Sequence, residues 1–251
     1  MSILEKALSH SKKIGIDECE IVTVEKKTTT VRITDSEIVE IKQNFDKKYG
    51  IRIIHQKKIV SIQTTDNQNI EKTIDSIFET ISNFKPREFW KGLPYKISAR
   101  KIEGTFDEKL EEISGKNSMD IAQSMINSAD SEKIDTITGS LNIVSEDFQL
   151  RNSQGLEFND KATYVSGIIN AESEQGNIPV SGIGHASGRT LSNFSKEQIG
   201  EDAKIMCIES INPQKIESDT YPIIFEPYSV GELLAFVVAS NFNFKTFTEK
   251  K

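Results

Sequence analysis

The sequence predicts an α+β fold: antiparallel sheets packed with helices in two consecutive units, followed by the start of a third domain. Three observations carry this prediction. Short stretches of two-residue alternation follow one another with tight turn signals between them, which suits antiparallel pairing because parallel strands need long crossovers. A helix, a run of strands and a closing helix can be read twice along the chain. Between the two readings, Phe84 to Tyr95 holds two prolines, a glycine and no period, as a linker does.

The elements follow in order. Ser2 and Glu5 form a capping-box pattern, and Ile3, Leu4, Ala7, Leu8 and Ser11 share one face of the helix they open. Gly15 is its expected stop. From Asp17 the period becomes two: Cys19, Ile21 and Val24 stand among Glu18, Glu20, Thr23 and Glu25. Thr29–Ile33, Ile38–Phe45, Tyr49–Ile54 and Ile59–Thr64 continue it, with turns expected at Asp35-Ser36, Asp46-Lys47 and Gln56-Lys57. Ile70, Ile74, Ile77, Phe78 and Ile81 then give a helical stripe.

Beyond the linker, Phe106, Leu110 and Ile113 share a helical face, and Met119 to Ile126 supply another. Strands are expected at Ile134–Val144, Phe148–Arg151, Leu156–Phe158 and Ala162–Ala171, with a ragged one around Val180–Thr190. Ser195 and Gln198 repeat the capping-box pattern before Ile199, Ala203, Met206 and Cys207. A short apolar strand, Tyr221–Phe225, and a long apolar helix close the chain. The boundaries expected are residues 1–83, a linker at 84–102, residues 103–217, and an incomplete third domain at 218–251.

Composition narrows the function classes. The 251 residues are 36% hydrophobic and 27% charged, with no apolar run near the ~20 residues that cross a bilayer. The first residues lack the apolar core of a secretory signal, and Cys19 and Cys207 are too far apart in sequence for a disulfide framework. A cytoplasmic location without membrane contact is the expectation. Formal charge is −7. Residues 1–100 hold 18 Lys and Arg against 14 Asp and Glu; the remaining 151 hold 13 against 24. Nucleic-acid binders concentrate positive charge on one face, so direct nucleic-acid binding is not expected.

Candidate chemistry is sparse. His10, His55 and His185 are scattered and share no ligand spacing; the first two read as surface residues. His185 lies in Gly182-Ile-Gly-His-Ala-Ser-Gly188, which has neither a Rossmann nor a P-loop spacing and reads as an irregular strand or loop. Ser181 and Ser187 lack a nucleophile elbow. Glu111-Glu112 and Glu201-Asp202 read as solvated helix faces. Cys19 and Cys207 fall on apolar faces, where thiols behave as small hydrophobes. No catalytic, cofactor-binding or metal-ligating residue is assigned.

Several motifs nevertheless occur in a shared order: Asp17-Glu-Cys-Glu-Ile-Val, Asp35-Ser-Glu-Ile-Val-Glu-Ile, Tyr49-Gly-Ile-Arg-Ile-Ile, Ile62-Gln-Thr-Thr-Asp66, Gly92-Leu-Pro94 and Leu150-Arg-Asn-Ser-Gln-Gly-Leu-Glu-Phe158. With Tyr221-Pro-Ile-Ile-Phe-Glu-Pro and Gly231-Glu-Leu-Leu234 they resemble the TldD/PmbA family over nearly the whole chain. In that family's peptidase branch, Gly-x-Leu-Leu is followed by a His-Glu-x-x-x-His metal motif. Here Ala235, Phe236 and Ser240 stand at those positions, and none of them binds zinc or acts as a general base.

The resemblance therefore implies a PmbA (TldE)-type subunit of a cytoplasmic metallopeptidase system acting in proteolysis and peptide maturation. Zinc would belong to a TldD-like paralogue with which this chain forms a heteromer, and a peptide would be the substrate. A homodimer is a further possibility. The alternative implied is a non-catalytic protein-binding regulator, such as a modulator of DNA gyrase. Val230, Leu233, Leu234, Phe236, Val237 and Val238 make the last helix apolar on most sides, and such a helix wants cover. A continuation of the domain in a longer gene product is expected to provide it.

Overall fold

The structure is a computed structural model that describes residues 2–95, 102–242 and 246. Residues 1–213 form one compact unit and residues 214–251 another.

Helix α1 (Ile3–Lys13) opens the first unit with its capping box formed: Ser2 Oγ accepts from the Glu5 amide, and the Glu5 carboxylate accepts from the Ser2 amide. The helix ends where Gly15 takes φ +83°, a left-handed conformation that costs glycine little. Strand β1 (Glu18–Thr34) is one uninterrupted strand, as is β2 (Glu37–His55). The two-residue turn Asp35-Ser36 joins them, and Gln56-Lys57 joins β2 to β3 (Lys58–Thr64). All four residues have positive φ, the backbone of a primed hairpin turn. The turn expected at Asp46-Lys47 does not form. Those residues continue the register of β2 on β1, opposite Lys26 and Glu25, and Lys47 is ion-paired with Glu25. Charged turn-like residues are compatible with a strand where the partner strand carries the complement.

Helix α2 (Ile70–Thr80) buries Ile70, Ile74 and Ile77, and a 3₁₀ turn carries Ile81 into the same cluster. After the linker come α3 (Glu108–Glu111) and α4 (Gly115–Ala129). The shorter strands expected next are merged into two long ones, β4 (Thr136–Asn152) and β5 (Glu157–Ser173), followed by β6 (Val180–Gly188) and helix α5 (Lys196–Glu209). Ser195 precedes α5 but its hydroxyl makes no capping bond, so the second capping box is not formed; Gln198 donates to Asp202 on the next turn.

The class is α+β, and the strands of both halves belong to one antiparallel sheet ordered β3-β2-β1-β4-β5-β6. The pairing that joins them is β1 with β4, in unbroken register from Glu20↔Asn152 to Ile33↔Gly139. Two apolar clusters lie on the face carrying the odd-numbered residues of β1. One gathers Ile21, Ile51 and Ile53 under α1 and α2; the other gathers Val31, Leu141, Val165 and Ile169 under α4 and α5.

The close approach of α5 explains the glycines of β6. A Cβ on Gly184 would lie 1.9 Å from the Ile199 carbonyl oxygen, and one on Gly182 would lie 2.3 Å from the Ala203 carbonyl oxygen. Gly200 does the same between helices, 2.3 Å from the Met125 carbonyl oxygen. The glycine run around His185 is thus a packing device in a regular strand. No bulge interrupts its register on β5, contrary to the irregular segment expected.

In the second unit, residues 214–226 have no helix or strand, so the strand expected at Tyr221–Phe225 is not formed. Helix α6 (Pro227–Leu233) starts with proline at its first position, where no amide partner is lost. It continues through a π turn at Leu234–Val238 and a 3₁₀ turn at Ala239–Phe242. Leu233, Leu234, Phe236 and Val237 are exposed.

Candidate functional site

Both apolar clusters use one face of the sheet, leaving the side chains of even-numbered β1 residues on the other. Along its middle strands that second face is half-buried and mixed in character. Val22 and Val24 of β1 stand beside Leu150 and Phe148 of β4, and Phe148 meets Phe158 of β5 edge-on, with ring centroids 6.0 Å apart. Farther along, Thr30 Oγ1 donates to Asn142 Oδ1 at 2.9 Å.

Between the apolar and polar ends lies a charged cluster. Lys26 Nζ is 2.8 Å from Tyr164 Oη and 3.2 Å from a Glu146 carboxylate oxygen. The same Nζ lies 5.5 Å from the centre of the Tyr164 ring, and the Arg189 guanidinium lies 5.8 Å from it. The hydrogen bond to Tyr164 raises the Lys26 pKa, with Glu146 adding to the effect, so the ammonium stays charged at neutral pH. A cavity of about 320 Å³ adjoins this cluster, lined by Val22, Val24, Lys26, Asp46, Lys48 and Gln63. An apolar floor with charges at its margin suits an extended peptide better than a compact cofactor, because it offers side-chain contacts along a strand direction. Residue-type reasoning missed this arrangement. The signal was available in the even-numbered apolar residues Val22, Val24, Phe148, Leu150 and Phe158, which alternate out of phase with the core.

The residues weighed from sequence are dispersed. His10 is not a bare surface residue: its Nε2 lies 2.7 Å from Asp75, tying α1 to α2. His55 sits at the β2–β3 turn, edge-on to Phe78 at 5.1 Å and 3.3 Å from Asp17. His185, Ser181 and Ser187 are exposed on alternate positions of β6, opposite Ile168, Glu172 and Ser166. Glu111 is ion-paired with Lys161 at 2.8 Å, whereas Glu112 is exposed. Glu201 is paired with Lys204 at 2.7 Å. Among the described residues no three His, Cys, Asp or Glu side chains come together as a metal site.

Both cysteines are buried. Burial pushes the Cys19 thiol up to about 11 and raises that of Cys207, whose Sγ lies 3.7 Å from the Val180 carbonyl oxygen. A thiol needs its thiolate to react. Ellman's reagent at pH 8 is therefore expected to modify neither cysteine in the native protein and both in guanidinium; rapid native labelling of either would contradict their packing role.

In the second unit, Ala235 and Phe236 lie in the π turn, where the Ala239 amide donates to the Leu234 carbonyl five residues back. Residues five apart stand about 140° apart around an ordinary α-helix. A π turn brings such positions toward one side, but this one ends at Val238, and position 240 falls in the 3₁₀ turn that follows.

Residues 19–83 match the sequence model of the family described as PmbA/TldA metallopeptidase domain 1. No curated protein sequence matches the chain. Among solved structures, TldE from Thermococcus kodakarensis aligns with a TM-score of 0.87 at 17% identity, over 99% of this chain and 57% of that one. A protein from Bacteroides thetaiotaomicron, described as a candidate modulator of DNA gyrase, gives 0.81 at 16% identity, over 93% and 55%. Another so described, from Thermotoga maritima, gives 0.75 at 22% identity, over 86% and 50%. The chain spans about half the length of each, and the likeness is one of fold.

Proposed function

We propose, from the premise that residues 19–83 are a first domain of the PmbA/TldD family, that this chain is a metal-free supporting subunit of a PmbA/TldD-type metallopeptidase system. It binds peptide and assembles with a paralogue that carries zinc. The observation that carries this reading is the helix after Glu226. The residues at the motif positions are Ala235, Phe236 and Ser240. None supplies a ligand or a base. The likeness to TldE over 99% of the chain supports the same subunit type.

Within that system, hydrolysis belongs to the partner. There the metal would activate water and a glutamate would take its proton. This chain's contribution is the half-buried sheet face, where Val22, Val24, Phe148, Leu150 and Phe158 contact apolar side chains of a peptide and Lys26 faces its carbonyl or acidic groups. Fluorogenic peptides and casein should show no turnover with this chain alone. Turnover should appear when it is mixed with a paralogue bearing His-Glu-x-x-x-His, and co-purification should recover that paralogue. Lys26→Ala should then weaken peptide binding by the mixture roughly tenfold, on the scale of one charge-assisted hydrogen bond. Turnover by this chain alone, abolished by a point mutation within it, would refute the reading.

The description of two structural relatives as candidate gyrase modulators favours a second reading, a regulator acting through protein contact. Recovery of gyrase, and no metallopeptidase paralogue, in the same co-purification would select it.

A further inference from the structure

Strand β2 changes character partway along. From Tyr49 to Ile54 it is flanked by β1 and β3; from Glu40 to Lys48 it pairs with β1 alone. Among the described residues no strand occupies the outer edge of that nine-residue stretch, and every residue in it is exposed. Both ends of the stretch are defined. At one end β3 begins, with Tyr49↔Thr64. At the other, the register on β1 shifts between Arg32↔Glu40 and Ile33↔Ile38, so Val39 is an extra residue that bulges. A bulge bends its strand out of line, turning residues 37–39 away from the path that a neighbouring strand would follow.

An open, straight, unpaired edge is a template for another strand, and its charges identify which. Two copies of one edge pairing antiparallel about a two-fold axis must present their outward-facing backbone groups to each other. The axis therefore falls at a residue, not between two. An axis at Gln43 sets Glu40 against Asp46 of the other copy, and one at Phe45 sets Lys42 against Lys48; both oppose like charges. An axis at Asn44 sets Glu40 opposite Lys48 and Lys42 opposite Asp46, each twice by symmetry, with Asn44 facing its own copy. That register uses Glu40 to Lys48, the whole open stretch. On the opposite side of the strand it brings Ile41 diagonally near Phe45, and these are 38% and 71% exposed in the single chain. Neither Lys42, Asp46 nor Lys48 is in an ion pair among the described residues. We infer that residues 40–48 are a homodimer interface: a second copy of this chain adds its β2 edge antiparallel about Asn44, joining two six-stranded sheets into one. The interface shares Asp46 and Lys48 with the cavity beside Lys26 but does not depend on the peptidase reading.

The register is tested with the full chain by light scattering after gel filtration. The wild type should run at twice its 28.2 kDa. Lys42→Glu sets a glutamate opposite Asp46 of the second copy, and Asp46→Lys sets a lysine opposite the second copy's Lys42, so each variant should dimerise at least tenfold more weakly. Mixed together they restore every opposite-charge pair and should form a heterodimer. Asn44→Cys should cross-link to itself on mild oxidation, because directly opposed residues have Cα atoms within disulfide range. Lys47→Cys should not, since its two copies stand about 20 Å apart along the strands. A wild-type monomer at about 100 μM, dimers indifferent to Lys42→Glu, single variants that stay apart when mixed, or equal cross-linking of the Asn44→Cys and Lys47→Cys variants would each overturn the interface. So would a purified monomer whose β2 edge pairs only with an unlike protein.

Discussion

Gly184→Ala should be among the most damaging single-methyl additions in this protein. Alanine is ordinarily no worse than glycine in a strand, so propensity alone predicts a neutral or mildly favourable change. The new Cβ, however, would lie 1.9 Å from the Ile199 carbonyl oxygen and 2.8 Å from the Ala203 amide nitrogen, both backbone atoms of α5. A backbone cannot swing aside as a long side chain can. Either α5 lifts from β6, uncovering Ile199, Ala203 and Cys207, or the strand distorts. Overpacking of this kind costs about 1–3 kcal/mol, and the upper end is expected because both neighbours are main chain. Gly115→Ala is the control: nothing lies within 4 Å of its Cβ, and it opens α4. Urea unfolding should show a clear drop in midpoint for Gly184→Ala and a midpoint at or above wild type for Gly115→Ala. Equal midpoints would mean that α5 does not rest on β6 as described.

Asn152→Ala should be comparably severe for a different reason. Asn152 is buried at the end of β4, and its side chain serves three backbone groups. Its Nδ2 donates to the Pro94 carbonyl at 2.9 Å, and its Oδ1 accepts from the Gln154 amide at 2.9 Å and the Leu156 amide at 3.0 Å. Alanine leaves all three groups to find other partners, at about 1–3 kcal/mol for each that stays buried and unpaired. A total loss on the order of 3–5 kcal/mol is expected, since Leu93 and Pro94 would lose their tether as well. Asn152→Asp separates the contributions. It keeps both acceptor contacts but turns an oxygen toward the Pro94 carbonyl, so it should fall between wild type and alanine. If aspartate is as damaging as alanine, the linker contact dominates; if alanine costs under about 1 kcal/mol, less than one orphaned group, the turn is held by other means.

The reading of elements from sequence succeeded where local chemistry decides. The Ser2–Glu5 box, the Gly15 stop and the Asp35-Ser36 and Gln56-Lys57 turns all depend on a few adjacent residues, and all are present. The helical stripes of α1, α2 and α4 face the core as their spacing requires, except that Met119 at the start of the α4 stripe is exposed. Strand lengths were harder to read. Asp46-Lys47 carries turn residues, yet the chain runs straight through because Glu25 and Lys26 of β1 lie opposite. Tyr221–Phe225 has strand composition and no strand, for a ladder needs a neighbour. Of the candidate site on the sheet face, nothing was assigned from sequence. The positive features, Lys26 with Tyr164 and Glu146, come from three strands, with β1 more than a hundred residues from the other two. No local spacing could have announced them.

The sequence by itself determined the class, most of the helices, two of the turns and the burial of Cys19 and Cys207, because burial patterns and capping act over one or two turns of chain. Tertiary structure alone decided that β1 pairs with β4, so that two expected units share one sheet. It also assigned the glycines around His185 to helix packing and not to a ligand loop. Both outcomes depend on which backbone comes within a few ångströms of which other backbone. Main-chain hydrogen bonds and main-chain contacts are nearly the same for every residue type, so the side-chain alphabet records them only faintly.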